Sequence, residues 1–247
     1  MTNGRKYLVT GASRGIGLAI AERLLSEGAA VIGTFNTSAD EARALEQKHP
    51  LLTMKQVDLS ERSATRMFVQ VLGDEKLDGI VNNAGIIEFE RWDDFTMESW
   101  DRVLEVNLNA VLAIASTLGR RLTSGAAIVN VASTDGTVGS FASISYAASK
   151  AALLNVTQSL ANVLGPQGIR VNAVAPGWVN TGMATDESHE AAALTPLGRN
   201  GTPADVADVV VFLLGESSRY ITGATLVVDG GYTCVDSIMK QENDSLE

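Results

Sequence analysis

The sequence predicts an α/β fold in which one doubly wound, seven-stranded parallel sheet carries helices on both faces. Three observations carry that prediction. Short apolar runs alternate with helical stretches along the chain, and strict β/α alternation calls for crossover connections and therefore parallel strands. The runs are apolar at nearly every position rather than at every second one, as in strands covered on both sides. The chain has 247 residues, 45% of them hydrophobic, enough to bury one large core.

In chain order, strands are expected at 7–10, 30–34, 52–57, 79–81, 127–131, 170–174 and 225–228. Helices are expected at 16–27, 39–48, 62–72, 98–118, 145–164 and 203–214, where apolar residues recur at i, i+3 and i+4. Ser38 with Glu41 has capping-box spacing. Thr202 followed by Pro203 reads as N-cap and N1, with Asp205 in the first turn. One domain is expected over 1–236, including a mobile substrate segment at 182–196, and a polar tail over 237–247 that frays.

Charge narrows the partners. Lys plus Arg total 19 and Asp plus Glu total 29, so 19 − 29 gives a net charge of −10. Nucleic acids and anionic membranes select basic faces, so neither is an expected partner. Cys234 is the single cysteine, which excludes an internal disulfide and suits a reducing compartment. No apolar stretch approaches the ~20 residues of a membrane span, and the N-terminus lacks the long apolar region of a secretory signal. A cytoplasmic protein is expected. His49 and His189 are far apart in sequence and do not suggest a metal site.

The first strand runs into Thr10-Gly11-Ala12-Ser13-Arg14-Gly15-Ile16-Gly17, and a helix follows. Missing Cβ atoms allow a tight turn and let a pyrophosphate approach the backbone, and the helix N-terminus offers free N–H groups. A purely structural turn would also use glycine, but the place is where a dinucleotide belongs in a Rossmann fold. Tyr146 and Lys150 are four apart on one helix and share a face. At ~4 Å and an effective dielectric of ~20, an ammonium favours the phenolate by about 4 kcal/mol, or roughly 3 pKa units before desolvation opposes it. That expectation brings the phenol toward neutrality, where a proton donor and acceptor works best.

The glycine spacing, Gly11-xxx-Gly15-x-Gly17, resembles the TGxxxGxG signature of the short-chain dehydrogenase/reductase family. Asn82-Asn83-Ala84-Gly85, Asn107, Ser133, Tyr146-Ala147-Ala148-Ser149-Lys150, Pro176-Gly177 with Thr181, and Val228-Asp229-Gly230-Gly231 follow in the family's order. The chain is thus identified as a member of the classical branch, similar to its 3-oxoacyl-carrier-protein reductases. The resemblance implies that Tyr146 exchanges the proton with the substrate oxygen and that Lys150 also holds the nicotinamide ribose. It implies that Ser133, thirteen residues before Tyr146, donates to the same substrate oxygen. Asn107, unfavoured within a helix, would kink it and hold a relay water through its main-chain carbonyl.

The same resemblance assigns cofactor contacts to Gly11, Ser13, Arg14, Gly15, Ile16, Gly17, Asn36, Thr37, Asp58, Leu59, Asn83, Ala84, Gly85, Pro176, Gly177, Val179 and Thr181, besides Tyr146 and Lys150. Asp58 would bond the adenine amino group, and Thr181 the carboxamide or the phosphates. The residues themselves favour NADP(H) over NAD(H). No acid ends the second strand at Phe35-Asn36-Thr37 to bond the ribose hydroxyls. Arg14, a cation at a helix N-terminus, opposes the dipole unless it meets an anion such as a 2′-phosphate. An Arg14 that merely extends into solvent, with NAD(H) as the cofactor, remains the alternative.

Thr134, Val138, Ile144 and Trp178 are expected to line the substrate pocket, a mixed wall that suits many small ketones and alcohols. Three activities stay open: an NADP(H)-dependent carbonyl reductase, an NAD-dependent polyol or sugar dehydrogenase, and a 3-oxoacyl-carrier-protein reductase. The last requires a basic docking face, yet Arg120, Arg121 and Arg170 miss the expected positions. A non-catalytic NADP(H) sensor would have lost Tyr146 or Lys150, and both are present. Relatives are usually homotetramers, with contacts here over 98–118, 145–164 and 225–228. Val103, Leu108, Val111, Leu153, Leu160 and Leu164 could serve that interface or the core.

Overall fold

The computed structural model describes residues 4–181, 186–236, 238–240 and 245. Seven strands, β1 (Lys6–Val9), β2 (Ala30–Phe35), β3 (Leu52–Gln56), β4 (Gly79–Asn82), β5 (Ala127–Val131), β6 (Arg170–Pro176) and β7 (Thr225–Val228), form one sheet in the order β3-β2-β1-β4-β5-β6-β7. Every pairing is parallel. Strand order reverses between β1 and β4, the place where such a sheet opens a crevice at its carboxyl ends.

Successive residues of the central strands feed two cores, because side chains alternate across the pleat. Tyr7, Val9, Val31, Val81, Val129 and Val174 join Ile20 and Leu24 of α1 (Gly15–Ser26) and Val206 and Val210 of α8 (Pro203–Leu214). Leu8, Ile32, Ile80, Ile128 and Val171 point the other way, to Phe68 of α3 (Arg62–Val71), Ile114 of α5 (Ala110–Thr117) and Leu164 of α6 (Ile144–Leu164). At the edge, β3 buries only alternate residues, Leu52 and Met54.

The helix expected over 98–118 is two helices, α4 (Met97–Leu104) and α5, joined by a wider π-type turn at Glu105–Asn109. Such turns interrupt helices at functional sites, and Asn107 lies in this one. The capping box at α8 forms in full: Asp205 N–H donates to Thr202 Oγ1 (3.3 Å) and Thr202 N–H to Asp205 Oδ2 (2.7 Å). The box expected at α2 (Ala39–Lys48) does not. Ser38 has ψ of 60°, not the extended value a capping serine adopts, and its side chain makes no capping bond. An additional short helix, α7 (Asp186–Leu194), lies inside the segment expected to be a loop, of which residues 182–185 are outside the described ones. Among the described residues no helix is long and apolar enough to cross a membrane.

Candidate functional site

Two loops meet where the strand order reverses. Thr10 Oγ1, at the end of β1, accepts from the N–H groups of Asn83 (2.9 Å) and Ala84 (3.0 Å) beyond β4. Asn83 Nδ2 donates back to the carbonyls of Thr10 (2.9 Å) and Gly11 (3.2 Å). Thr34 of β2 receives Gly11 N–H on its hydroxyl (3.1 Å) and Ala12 N–H on its carbonyl (2.8 Å). Three strand ends are thus laced together before any ligand arrives, and such preorganisation lowers the cost of binding.

The turn then needs its glycines. Gly15 has φ of +57°, a region that side chains disfavour. A Cβ on Gly17 would stand 2.1 Å from the Gly11 carbonyl oxygen and 2.4 Å from Asn83 Nδ2. Arg14 is the N-cap of α1 in extended conformation and makes no side-chain capping bond. The first N–H groups of α1 therefore face a glycine-lined cradle, the arrangement that takes a pyrophosphate. Thr181, beyond β6, closes one side, with its Cγ2 3.5 Å from where a Gly15 Cβ would be. The residues fit a dinucleotide. Ser13 and Ile16 are half-buried beside the cradle, while Arg14 is exposed with its guanidinium in none of the ion pairs among the described residues.

Asn36 and Thr37 are exposed at the end of β2. Asp58 Oδ1 accepts from the Ser60 hydroxyl (2.6 Å) and N–H (2.9 Å). Those bonds, with a smaller contribution from the Asn36 amide, hold its carboxyl below the usual carboxylate range. Leu59 turns its side chain into the core, which leaves only its backbone for a ligand. Gly85 is exposed, 3.4 Å (measured from an added Cβ) from Lys150 Nζ and 3.3 Å from Asn107 Oδ1. On the far side, Gly177 N–H bonds to the Val228 carbonyl (3.1 Å) and positions the chain after Pro176. A bridge between Val179 and Gly201 holds the following loop.

Asn107 is fully buried and clasps the backbone of Ile86: its Oδ1 accepts from Ile86 N–H (2.8 Å) and its Nδ2 donates to Ile86 O (2.9 Å). Nδ2 also donates to Ser149 Oγ (3.0 Å), whose hydroxyl donates to the Tyr146 carbonyl (2.7 Å). The π-type turn thus ties the loop after β4 to the Tyr146 turn of α6, and the Asn107 carboxamide makes all three of its bonds.

Tyr146 and Lys150 lie one turn apart on α6, with Nζ 5.5 Å from the phenol ring centroid. Lys150 is buried and donates to the Val131 carbonyl (2.9 Å). Burial lowers its pKa to about 8. Tyr146 goes the other way: burial pushes the phenol above its ordinary value, opposed by a hydrogen bond with the Ser133 hydroxyl and reinforced by the nearby Asp135 charge. This corrects the charge argument from sequence, in which Lys150 lowers the phenol. Desolvation of both groups outweighs the attraction expected between them.

Ser133 follows β5, and its Oγ accepts from Asp135 N–H (3.1 Å) at the head of the Thr134–Gly136 turn. Of the expected pocket residues, Val138 and Trp178 are exposed and Ile144 is half-buried, whereas Thr134 is buried under its own turn. Four of the six ambiguous apolar residues, Val103, Val111, Leu153 and Leu164, are buried within the chain; Leu108 and Leu160 are partly open. Sequence reasoning missed Thr10, Ser149 and Asp135. Thr10 and Ser149 sit inside motifs already noted, so their polar character at a strand end and on the Tyr146 helix was the available signal.

The family model described as enoyl-(acyl carrier protein) reductase matches residues 11–233. The chain is 36% identical over 240 residues to 2-dehydro-3-deoxy-D-gluconate 5-dehydrogenase of Bacillus subtilis, covering 93% of this chain and 94% of that one. It is 37% identical over 241 residues to 3-oxoacyl-[acyl-carrier-protein] reductase of Aquifex aeolicus, covering 92% and 97%. Among solved structures, a short-chain dehydrogenase from Burkholderia cenocepacia in complex with NADP superposes with a TM-score of 0.89 at 38% identity, covering 94% of this chain and 99% of that one. A blue fluorescent protein from a metagenomic library in complex with NADPH gives 0.88 at 35%, covering 93% and 98%.

Proposed function

Because the chain belongs to the short-chain dehydrogenase/reductase family, an oxidoreductase family acting on CH–OH and carbonyl groups with a nicotinamide cofactor, we propose that it is NADP(H)-dependent and interconverts a small ketone and its secondary alcohol. The observation that carries this reading is the meeting of Ser133, Tyr146, Lys150 and Asn107 at the carboxyl ends of β4 and β5, beside the N–H cradle of α1. A bound nicotinamide supplies or accepts the hydride. The chain's own residues do the rest.

Tyr146 gives its phenolic proton to the carbonyl oxygen in reduction and takes it back in oxidation. With its pKa raised by burial, the phenol carries its proton at neutral pH and so has one to give in reduction, though it gives it less readily than a group titrating near neutrality. Ser133 lies near enough to the Tyr146 phenol to oppose the rise that burial causes and donates to the same substrate oxygen, where charge develops. Lys150, protonated at pH 7 with a pKa of about 8, places a positive charge beside the phenol and is within reach of a ribose at Gly85. Asn107 fixes the Ile86 backbone and, through Ser149, the Tyr146 turn.

Arg14 supports the NADP(H) choice. It is an exposed cation at a helix N-terminus, a placement that costs energy unless an anion is bound. The substrate is read as a small molecule. Carrier-protein docking requires a basic face, and Arg170 is unavailable for one, being buried against the end of α8. A homotetramer in the cytoplasm completes the proposal, and light scattering tests the assembly.

Fluorescence titration with NADPH and NADH, followed by oxidation across ketones, keto sugars and acetoacetyl thioesters, tests the function. NADPH preference with turnover of ketones is the expected result. Tyr146→Phe should then lose turnover by about 10²-fold or more while binding NADPH as before. Retained turnover would remove Tyr146 from its role. NADH preference would favour a polyol dehydrogenase.

A further inference from the structure

One ionisable group at the site has no work in the mechanism above. Asp135 lies two residues after Ser133, and its backbone N–H donates to the Ser133 hydroxyl (3.1 Å). Its turn is held in place from both sides. Thr137 closes it with two bonds to the Thr134 carbonyl, from N–H (2.9 Å) and Oγ1 (2.7 Å). Gly136 presses against α6, where an added Cβ would meet the Lys150 carbonyl carbon at 2.9 Å and Ala151 N at 3.1 Å. The position of Asp135 relative to Ser133 and Tyr146 is therefore fixed by backbone.

Its carboxylate is half-buried, yet no hydrogen bond or ion pair reaches it among the described residues, and burial alone accounts for its raised pKa. An unpaired, partly desolvated carboxylate is costly in a folded protein. Its field reaches Tyr146. Lys150 is not paired with it: the ammonium bonds the Val131 carbonyl, and burial alone shifts each of the two groups. Around it, the stretch 134–146 contains no Lys or Arg. Glu90 adds a second carboxylate at the head of α6, accepting from the Ser145 hydroxyl (3.0 Å). A hydrogen-bond donor or a cationic group entering beside Tyr146 meets a carboxylate that has no protein partner among the described residues, and an anionic one meets repulsion.

We propose that Asp135 is a specificity-determining residue, whose carboxylate favours carbonyl substrates bearing an ammonium or hydroxyl donor and turns away those bearing a carboxylate or phosphate. The proposal rests on the oxidoreductase reading for the identity of the reaction. It adds the charge class of the substrate.

Three ketones of one skeleton test it: 4-aminocyclohexanone, 4-hydroxycyclohexanone and 4-oxocyclohexanecarboxylate. With NADPH, the wild-type protein should rank them in that order in kcat/KM. The amine should exceed the acid by at least tenfold, less than two unit charges ~6 Å apart exchange at an effective dielectric of ~20. Asp135→Asn, which keeps the shape, should bring amine and acid within about threefold of each other, mostly through KM. The same reversal should appear in calorimetric binding of the three ketones to Tyr146→Phe protein saturated with NADP⁺, with and without Asp135→Asn. A charge-blind wild type, or an equal loss for all three ketones in Asp135→Asn, overturns the proposal. If wild-type protein binds NADPH but turns over none of them, the oxidoreductase reading fails for this class, and the binding order alone then decides for or against Asp135.

Discussion

Replacing Lys150 by Met separates the energetic cost of the site from its chemistry. The folded protein holds the ammonium at a pKa of about 8 against 10.5 for an unperturbed lysine. That shift costs about 3 kcal/mol of stability at pH 7. Because burial lowers the folded value, the unfolded chain binds the extra proton between those two pKa values, and stability rises with pH across that window. At pH 9.5 the cost has fallen by more than half, so this group alone makes the wild type about 2 kcal/mol more stable there than at pH 7. Met keeps the buried stem and removes the charge, but leaves the Val131 carbonyl without its donor, a loss of about 1–2 kcal/mol. Lys150→Met should therefore be more stable than wild type by about 1–2 kcal/mol at pH 7 and equal or slightly less stable at pH 9.5, while turnover disappears. Urea unfolding of both proteins at pH 7, 8 and 9.5, at one protein concentration because of assembly, measures the difference. Groups common to both cancel. Parallel stability curves would show that the ammonium is not desolvated in the folded state and would refute the reasoning.

Arg14→Ala should weaken NADPH binding by about 1.5–3 kcal/mol, roughly ten- to a hundredfold or somewhat more, and leave NADH nearly unchanged; equal losses in paired fluorescence titrations would end its 2′-phosphate role. Gly17→Ala places a methyl 2.1 Å from a backbone oxygen, where no flexible side chain can yield. It should cost about 2 kcal/mol or more, a Tm drop of about 4–8 °C by calorimetry, together with loss of cofactor binding. Arg170→Met tests the opposite end of the sheet. Its guanidinium bonds the carbonyls of Leu213 (2.6 Å), Leu214 (3.4 Å) and Gly215 (3.2 Å) and the Ser218 hydroxyl (2.9 Å), closing the end of α8. The variant should lose about 2–4 kcal/mol of stability and keep its kcat at a temperature where it stays folded; a fall in kcat without destabilisation would contradict that separation.

The strands were legible because strands buried on both faces leave continuous apolar runs, and the fully buried β5 falls at the residues its run marks; β7, a half-exposed edge strand, keeps an apolar run and is found at the expected residues too. Where burial varies along an element, the reading blurred. The 98–118 stretch keeps its apolar stripe through the π-type turn, so periodicity hid the break and only the unfavourable Asn107 hinted at it. Helix α7 went unseen because its sequence, DESHEAAAL, has no apolar stripe. The site residues were legible one by one, but their energetics were not. Charge attraction between Tyr146 and Lys150 follows from spacing. The larger effect, desolvation, depends on how Val131, Gly85 and Gly136 close over the pair, and those contacts come from three other segments. Ser38 failed as a cap for a related reason: capping depends on a ψ angle that residue type alone does not set.

The chain's excess of acids makes the distribution of its cations informative. Arg5, Lys6, Arg23, Arg43, Lys48, Arg62, Arg102 and Arg199 each pair with a carboxylate. Arg199 even holds Asp205 far below the usual carboxylate range. Arg14 and Lys150 take part in none of these pairs, a property they share with Lys55, Arg66, Arg91, Arg120 and Arg121, and no ion pair reaches Asp135 among the described residues. Neutral amides and hydroxyls (Thr10, Thr34, Asn83, Asn107, Ser149) hold the surrounding backbone in their stead. Local rules are broken in this way where a ligand is to complete them. The frame is made rigid by uncharged bonds, which add no formal charge of their own, and on the proposed reading the charges of Arg14, Lys150 and Asp135 are the ones that meet phosphate, ribose and substrate.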